Sequence, residues 1–146
     1  MARPSGIGSG GPNGLKHVVI VGGTEETRLL LRGLVRLHHH RVVAEGPSPD
    51  TLQEIPPEPA DPILLIDADL GEARWAQPIG ALLGARPTIR AILITASRSP
   101  QVETQARGLG VSQLLHRPFA VHELVEALDL PAGGPEPPAG PSTGSP

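Results

Sequence analysis

Three polar side chains with different chemistry each follow a short apolar run in this sequence. The carboxylate of Asp67 comes directly after ILLI, the hydroxyl of Thr95 follows AILI, and the guanidinium of Arg117 follows LLH. Such a carboxylate can lie solvated in a loop or belong to a site, a threonine can cap a turn or contact a phosphate, and an arginine can hold a carboxylate or phosphate through two hydrogen bonds. If the runs are neighbouring parallel strands, the three groups meet at one edge of a sheet, where ligands bind in open α/β folds.

Two other segments could bind ligands. His38, His39 and His40 are potential metal ligands, but consecutive residues at a helix end point in different directions and cannot readily close on one ion. We interpret them as an exposed helix terminus, where the dipole favours cationic side chains. The segment VGGTEE is a glycine turn before a helix N-terminus, a place where anions bind, yet it lacks the GxGxxG fingerprint and a P-loop lysine. No catalytic Ser-His-Asp or Cys-His arrangement is indicated, so we expect no enzyme.

The elements that must position these groups alternate along the chain. Short runs rich in Val, Ile and Leu alternate with amphipathic segments, the pattern typical of βα units around a parallel sheet. The five predicted strands are 17–21, 41–44, 63–66, 89–94 and 111–115. The five predicted helices are about 24–37, 51–55, 72–83, 99–107 and 119–128. Five such units predict an α/β, doubly wound parallel sheet with helices on both faces.

Local signals define the helices further. Thr24 is suited to cap the first helix and Pro100 to begin the fourth, whereas Pro78 predicts a turn or kink within the third. The predicted core-facing stripes are Leu30, Leu34 and Leu37 on the first helix and Leu124, Val125 and Leu128 on the fifth.

Composition limits the organisation of the chain to one folded domain, 16–130. The chain has 146 residues, 38% of them hydrophobic, which suffices for one ordinary core. The ends, 1–15 and 131–146, are rich in Gly and Pro and lack apolar runs, so we predict two disordered tails. No signal peptide, membrane-spanning run or Cys is present, which favours a soluble cytoplasmic protein. A net charge of −3 with one Trp and one Phe argues against direct nucleic-acid binding.

The segments around the three polar groups together resemble the receiver domain of bacterial two-component response regulators. They are ILLIDADL, AILITAS and LLHRPF; GLGVSQLLHRPF is also similar to the family's Gly-Ala-Asp-X-Tyr-Leu-X-Lys-Pro-Phe segment. In VVIVGGTEETRLLL the strand, loop and helix have the family's lengths. The resemblance covers 16–130 and implies a CheY-like, flavodoxin-like sheet of strand order 2-1-3-4-5.

The resemblance assigns roles to individual positions. In family members an Asp after strand three accepts a phosphoryl group, and two acidic residues after strand one hold a divalent ion. A Thr or Ser after strand four bonds the phosphoryl oxygen, and a Lys after strand five neutralises the charge of the phosphoryl group. By resemblance Asp67 is the phosphoacceptor and Thr95 the switch hydroxyl. Gly22 and Gly23 stand in place of the acidic pair and Arg117 in place of the lysine.

These departures affect the metal and the switch. Without the acidic pair the ion loses its main anchors, so we expect no cofactor unless Asp67, Asp69, Glu25 or Glu26 hold Mg²⁺ in another way. The family's aromatic switch residue is replaced by Leu114, which removes one reporter of the state of the site. Arg117 keeps a positive charge and could form a standing pair with Asp67.

Three functions follow as hypotheses. The first is a degenerate, or pseudo-receiver, signalling module of a two-component phosphorelay that acts by protein contact. Its expected partner is a histidine kinase or a downstream signalling protein, bound through the fourth helix, strand five and the fifth helix. The second is a conventional response regulator phosphorylated on Asp67 by a histidine kinase. The third is a small flavin- or nucleotide-binding protein on the same sheet, since fold does not imply function.

Overall fold

Five parallel strands form the centre of the chain. The computed structural model describes residues 15–55 and 61–129, and the elements given below lie in those ranges. The strands are β1 (His17–Gly22), β2 (Arg41–Gly46), β3 (Ile63–Asp67), β4 (Arg90–Thr95) and β5 (Gln113–His116). Their spatial order is β2-β1-β3-β4-β5, and all four neighbouring pairs are parallel. The predicted doubly wound sheet of order 2-1-3-4-5 is therefore confirmed.

Four α-helices and one 3-10 helix connect the strands. They are α1 (Glu25–Leu37), the 3-10 helix (Pro49–Glu54), α2 (Ala73–Ala85), α3 (Pro100–Leu109) and α4 (Val121–Asp129). The Thr24 side chain accepts a hydrogen bond from the Thr27 backbone N–H, as predicted for the cap of α1. Pro100 begins α3, and α2 continues through Pro78.

Three elements begin two residues away from their predicted starts. The second helix is a single 3-10 element that begins at Pro49, because Ser48 caps it through the Asp50 N–H. Strand β5 begins at Gln113 and not at 111, because the Val111 N–H closes α3 on the Ala106 carbonyl and leaves that residue outside the strand. The last helix begins at Val121 and not at 119.

Two apolar layers cover the two faces of the sheet. Alternate residues of β1 belong to different layers, Val19 and Val21 to one and Val18 and Ile20 to the other, and all four are fully buried. The first layer packs under the 3-10 helix, α2 and α3, and the second under α1 and α4. Burial on both faces explains why the strands are continuously apolar.

The predicted apolar stripe of α1 was only partly right, since Leu34 packs half-buried against the core but the other predicted positions do not. The buried residues are Leu31 and Val35, whereas Leu30 and Leu37 are 62% and 67% exposed. Since 28–37 contains five leucines, helical spacing fits more than one face, and the choice depends on docking against β1 and β2. On α4, Ala127 is buried with Leu124 and Leu128, while Val125 is half-buried.

The predicted tails lie outside the described residues, except for Leu15, which is exposed. Within the described ranges, no helix is long and apolar enough to cross a membrane.

Candidate functional site

The carboxyl ends of four strands bring the predicted site residues to one edge of the sheet. In the strand register Gly22 lies beside Asp67, and Thr95 lies beside His116, the residue before Arg117. Asp67, Thr95 and Arg117 line one cavity of about 500 Å³, together with Gly23 and Asp69. The three polar groups of different chemistry therefore meet as the pattern of strand ends implies.

Asp67 and Arg117 form an ion pair across this cavity. Nη2 of Arg117 donates to Oδ2 of Asp67. The Asp67 side chain is only 11% exposed, whereas that of Arg117 is 37% exposed. The backbone N–H of Arg117 also donates to the Thr95 carbonyl oxygen at 2.9 Å, which holds the backbone of Arg117 beside the end of β4. The Asp67 carboxylate is therefore already paired with a guanidinium group.

The two glycines leave no room for carboxylates in their place. Gly22 has φ +88° and Gly23 has φ +71°, the left-handed region that L side chains rarely adopt. A Cβ at Gly22 would overlap the Asp67 carbonyl oxygen, and one at Gly23 would lie 2.5 Å from Asp67 Oδ2. An acidic pair at these positions requires both the turn and Asp67 to move.

Arg28, which the sequence reasoning missed, holds this turn from the first turns of α1. Its Nη1 donates to the carbonyl oxygens of Gly22 and Gly23 at 3.1 and 2.9 Å. A positive charge therefore lies at the turn where the receiver family has an acidic pair. The only sequence signal was an arginine one turn into the helix that follows a Gly-Gly pair.

Thr95 and Asp69 take part in local turns. Thr95 Oγ1 accepts a hydrogen bond from the Ser97 N–H at 3.0 Å, and Asp69 Oδ1 accepts one from the Gly71 N–H at 2.9 Å. Thr95 is half-buried and Asp69 is exposed. As the turn-capping interpretation predicted, Thr95 caps the turn after β4. A hydroxyl that accepts one hydrogen bond can still donate its proton, here to a group in the cavity.

The candidate metal ligands lie at two separate places. Asp67, Asp69 and Glu72 line the same cavity, but Glu25 lines a separate groove with Arg28 and is not brought to Asp67. Within 15–55 and 61–129, no group of three or more His, Asp or Glu side chains is arranged to hold a metal ion. Asp67, which would be the central ligand of such an ion, already contacts the Arg117 guanidinium through Oδ2.

The remaining wall of the cavity comes from the start of α2. Trp75 is buried, and its ring would lie 3.3 Å from a Cβ at Gly22, so the ring packs close to the glycine turn. The Arg74 guanidinium lies 5.4 Å from the Trp75 ring centroid, and its Nε donates to Glu72 Oε1 at 3.0 Å. Leu114, at the position of the family's aromatic residue, is half-buried against the apolar layer beneath α2 and α3.

The histidines were only partly predicted. His38 is the C-cap residue of α1, and His39 is exposed. His40 was expected to lie at an exposed helix terminus, but it is buried, with 6% exposure. His39 has φ +68°, which turns the chain so that His40 points under the sheet. There its Nδ1 accepts the Lys16 backbone N–H at 3.1 Å, and its Nε2 lies 3.6 Å from Asp129 Oδ1. Burial lowers the pKa of His40, although Asp129 opposes that shift.

Comparison with solved structures shows the fold of response regulator receiver domains. One similar structure is a CheY-like response regulator receiver domain protein from Methanospirillum hungatei JF-1, with a TM-score of 0.66 and 18% identity over 77% of this chain and 89% of that chain. Another is a putative pilus assembly protein (cpaE) from Burkholderia thailandensis E264, with a TM-score of 0.67 and 23% identity over 77% and 94%. A third is a LuxR-family DNA-binding response regulator from Staphylococcus aureus, with a TM-score of 0.65 and 16% identity over 78% and 96%.

No family profile and no curated protein matches the chain in sequence. At these identities the structural likeness establishes the fold, and the predicted resemblance to receiver domains is confirmed at that level.

Proposed function

We propose that the chain is a receiver-like signalling module of a two-component phosphorelay that acts by protein contact, without enzymatic activity, cofactor or metal-dependent phosphorylation. The observation that carries the proposal is the Asp67–Arg117 ion pair beside the Gly22–Gly23 turn. Phosphoryl transfer to a carboxylate needs a cation that neutralises the charge spread over the transferring oxygens. Here the carboxylate is occupied by an arginine, and the positions that would anchor the cation are glycines.

The partner proposed for this module is a histidine kinase or a downstream signalling protein, met in the cytoplasm. The surface proposed for that contact is formed by α3, β5 and α4, which correspond to the fourth predicted helix, fifth strand and fifth predicted helix. β5 is an edge strand, so this surface lies at one end of the sheet. A signalling role is supported by the fold, which this chain shares with a CheY-like receiver domain protein and a DNA-binding response regulator.

A conventional response regulator phosphorylated on Asp67 is the second candidate. The observation in its favour is that Asp67, Asp69 and Thr95 line one open cavity, as a phosphoacceptor, a second carboxylate and a hydroxyl donor would. That reaction requires Arg117 to leave Asp67 and a divalent ion to enter. The two candidates therefore differ in one measurable property, the reactivity of Asp67.

The deciding experiment is incubation of the full chain with acetyl phosphate and Mg²⁺, followed by intact mass. Asp67→Ala removes the candidate acceptor, and Asp50→Ala, which removes an exposed carboxylate outside this cavity, is the control. We expect no phosphoryl adduct under conditions that modify an ordinary receiver domain. An adduct on the wild type and on Asp50→Ala, but absent from Asp67→Ala, would refute the proposal and establish the second candidate.

A second measurement tests the same point without covalent chemistry. Solved structures of similar fold include one receiver domain activated by beryllofluoride and one determined in the presence of this phosphomimetic. We expect that beryllofluoride with Mg²⁺ leaves the amide NMR signals of Asp67, Thr95 and Leu114 unchanged, because Arg117 already occupies the carboxylate. Shifts of those signals at stoichiometric ligand would count against the proposal.

A further inference from the structure

A groove runs along the opposite edge of the sheet, between α1 and β2. Its volume is about 800 Å³, and residues 41–45 of β2 line it together with residues of α1 and of the turn that follows α1. Leu15, which is 55% exposed, is also in the lining. This groove is remote in the sheet order from β5, where the partner contact of the proposed function lies.

The backbone of β2 is accessible at this groove. In the described part of the chain β2 pairs with β1 alone, so the backbone groups on its outer edge have no strand partner there. The register between β1 and β2 shifts between Val18 and Val19, which leaves Val43 as an extra residue on the edge strand. Val42, Val43 and Ala44 are half-buried, so a strand placed beside them would meet apolar side chains as well as backbone groups.

The side chains that line the groove carry an excess of positive charge. Arg32 is neutralised by Glu45 at 2.6 Å. Arg36 and Arg41 are exposed, and neither side chain has an acidic partner within the described ranges. His39 adds a further group that can become cationic. The groove therefore combines unpaired strand backbone with two uncompensated guanidinium groups.

We propose that this groove binds an extended acidic segment of a partner protein, which adds to β2 as a sixth strand. The outer edge of β2 supplies main-chain hydrogen bonds, as in other cases of strand addition. Arg36 and Arg41 select carboxylate side chains, which they can hold through two hydrogen bonds each. This surface is additional to the α3, β5 and α4 surface and does not depend on whether Asp67 is phosphorylated.

The other candidate occupants fit the groove less well. A second copy paired edge to edge through β2 would bring two grooves of net positive charge together, and these would repel each other. The chain's own segment 1–14 contains Arg3 and no acidic residue, so it lacks the complementary charge. The segments 56–60 and 131–146 each contain one Glu and several prolines, which have no N–H to donate to a neighbouring strand.

Binding of a defined peptide to the full chain tests the inference. The probe is a capped, fluorescent peptide of about eight residues, close to the usual strand length, in which Val and Glu alternate. We expect saturable binding by fluorescence anisotropy, weakening with salt, and amide NMR shifts along 41–46. The double variant Arg36→Gln/Arg41→Gln should weaken binding about tenfold, through the loss of two charge-assisted contacts. Arg98→Gln, an exposed arginine in the loop after β4, should leave affinity unchanged.

Two control peptides separate strand addition from charge attraction. A peptide with Lys in place of Glu tests the charge, and one with alternate N-methylated amides tests the main-chain hydrogen bonds. We expect neither to bind. Equal binding of the N-methylated peptide, equal affinity of the arginine double variant, or no binding of the Val-Glu peptide would each overturn the inference and leave the arginines as protection of an open edge.

The peptide-free chain provides a further test. We expect the outward-facing amides of β2 to exchange rapidly with solvent, because no strand covers them. Slow exchange at β2 would overturn the proposed partner in favour of one of the chain's own segments. Sedimentation that shows a dimer dissociated by Arg36→Gln/Arg41→Gln would instead identify a second copy as the occupant and would also overturn it.

Discussion

The ion pair between Asp67 and Arg117 should contribute measurably to the stability of the fold. Breaking a fully buried pair by removing one partner costs about 3–5 kcal/mol, whereas exposed pairs contribute about 0–1 kcal/mol. Asp67 is 11% exposed and Arg117 is 37% exposed, so this pair lies between the two cases. We therefore expect Arg117→Gln to lower the free energy of unfolding by about 2 kcal/mol, because it leaves the Asp67 carboxylate largely buried without a counter-charge.

The reverse change should cost less. In Asp67→Asn the guanidinium of Arg117 can turn toward solvent, since more than a third of its side chain is already exposed. We expect a loss of about 1 kcal/mol from this change. The double variant Asp67→Asn/Arg117→Gln should lose less than the sum of the single changes, with a coupling energy of about 1–2 kcal/mol.

Urea unfolding of the wild type, the two single variants and the double variant measures this coupling at one pH and ionic strength. Arg117→Lys is the informative additional variant, since it keeps the charge but loses the planar fork, and it should fall between the wild type and Arg117→Gln. A coupling energy below about 0.3 kcal/mol, within the usual error of additivity, would refute the claim that Arg117 is a standing partner of Asp67.

Three further predictions concern neighbouring features. Gly23→Ala should lose about 2 kcal/mol in urea unfolding, because φ is +71° and the new Cβ meets Asp67, whereas Gly33→Ala on α1, which has open space, should gain about 0.5–1 kcal/mol. Arg28→Ala should lose about 1 kcal/mol in the same assay and speed hydrogen exchange at the Gly22–Gly23 turn. Burial lowers the pKa of His40, so His40 takes up a proton more readily in the unfolded chain than in the folded chain. The free energy of unfolding should therefore fall as the pH drops below the ordinary histidine pKa of about 6.5. His40→Asn, which retains an acceptor for the Lys16 N–H, should flatten that fall in urea unfolding measured from pH 5 to 8.

Much of the fold could be predicted from the sequence because its signals are local. The runs VVIV, ILLI and AILI are continuously apolar, which is typical of strands buried on both faces, and all three form strands of the sheet. The phase of α1 could not be predicted in the same way. Its leucines occupy both the core face and the solvent face, and only contact with the sheet distinguishes Leu31 from Leu30.

The site was predictable in its position but not in its contacts. Strand ends placed Asp67, Thr95 and Arg117 at one edge, since that depends only on strand order. The role of Arg28 could not be predicted, because it depends on how a long side chain folds back over the glycine turn. The burial of His40 depends on a single left-handed residue, His39, whose conformation has no clear signal in a run of identical histidines.

The departures from the receiver pattern are physically coupled, and that coupling bears on regulation. A carboxylate neutralised by a divalent ion changes its charge environment when the ion or a phosphoryl group arrives, whereas Asp67 is already paired with Arg117 before either arrives. Arg28 extends this effect, because its guanidinium already bonds the two carbonyls of the turn where the ion's ligands would lie. A switch requires a difference in interaction free energy between two states, and these two arginines reduce the part of it that charge at Asp67 could supply. On the function proposed above, partner binding should therefore depend on the concentration of the partner and be unchanged by treatment with acetyl phosphate and Mg²⁺.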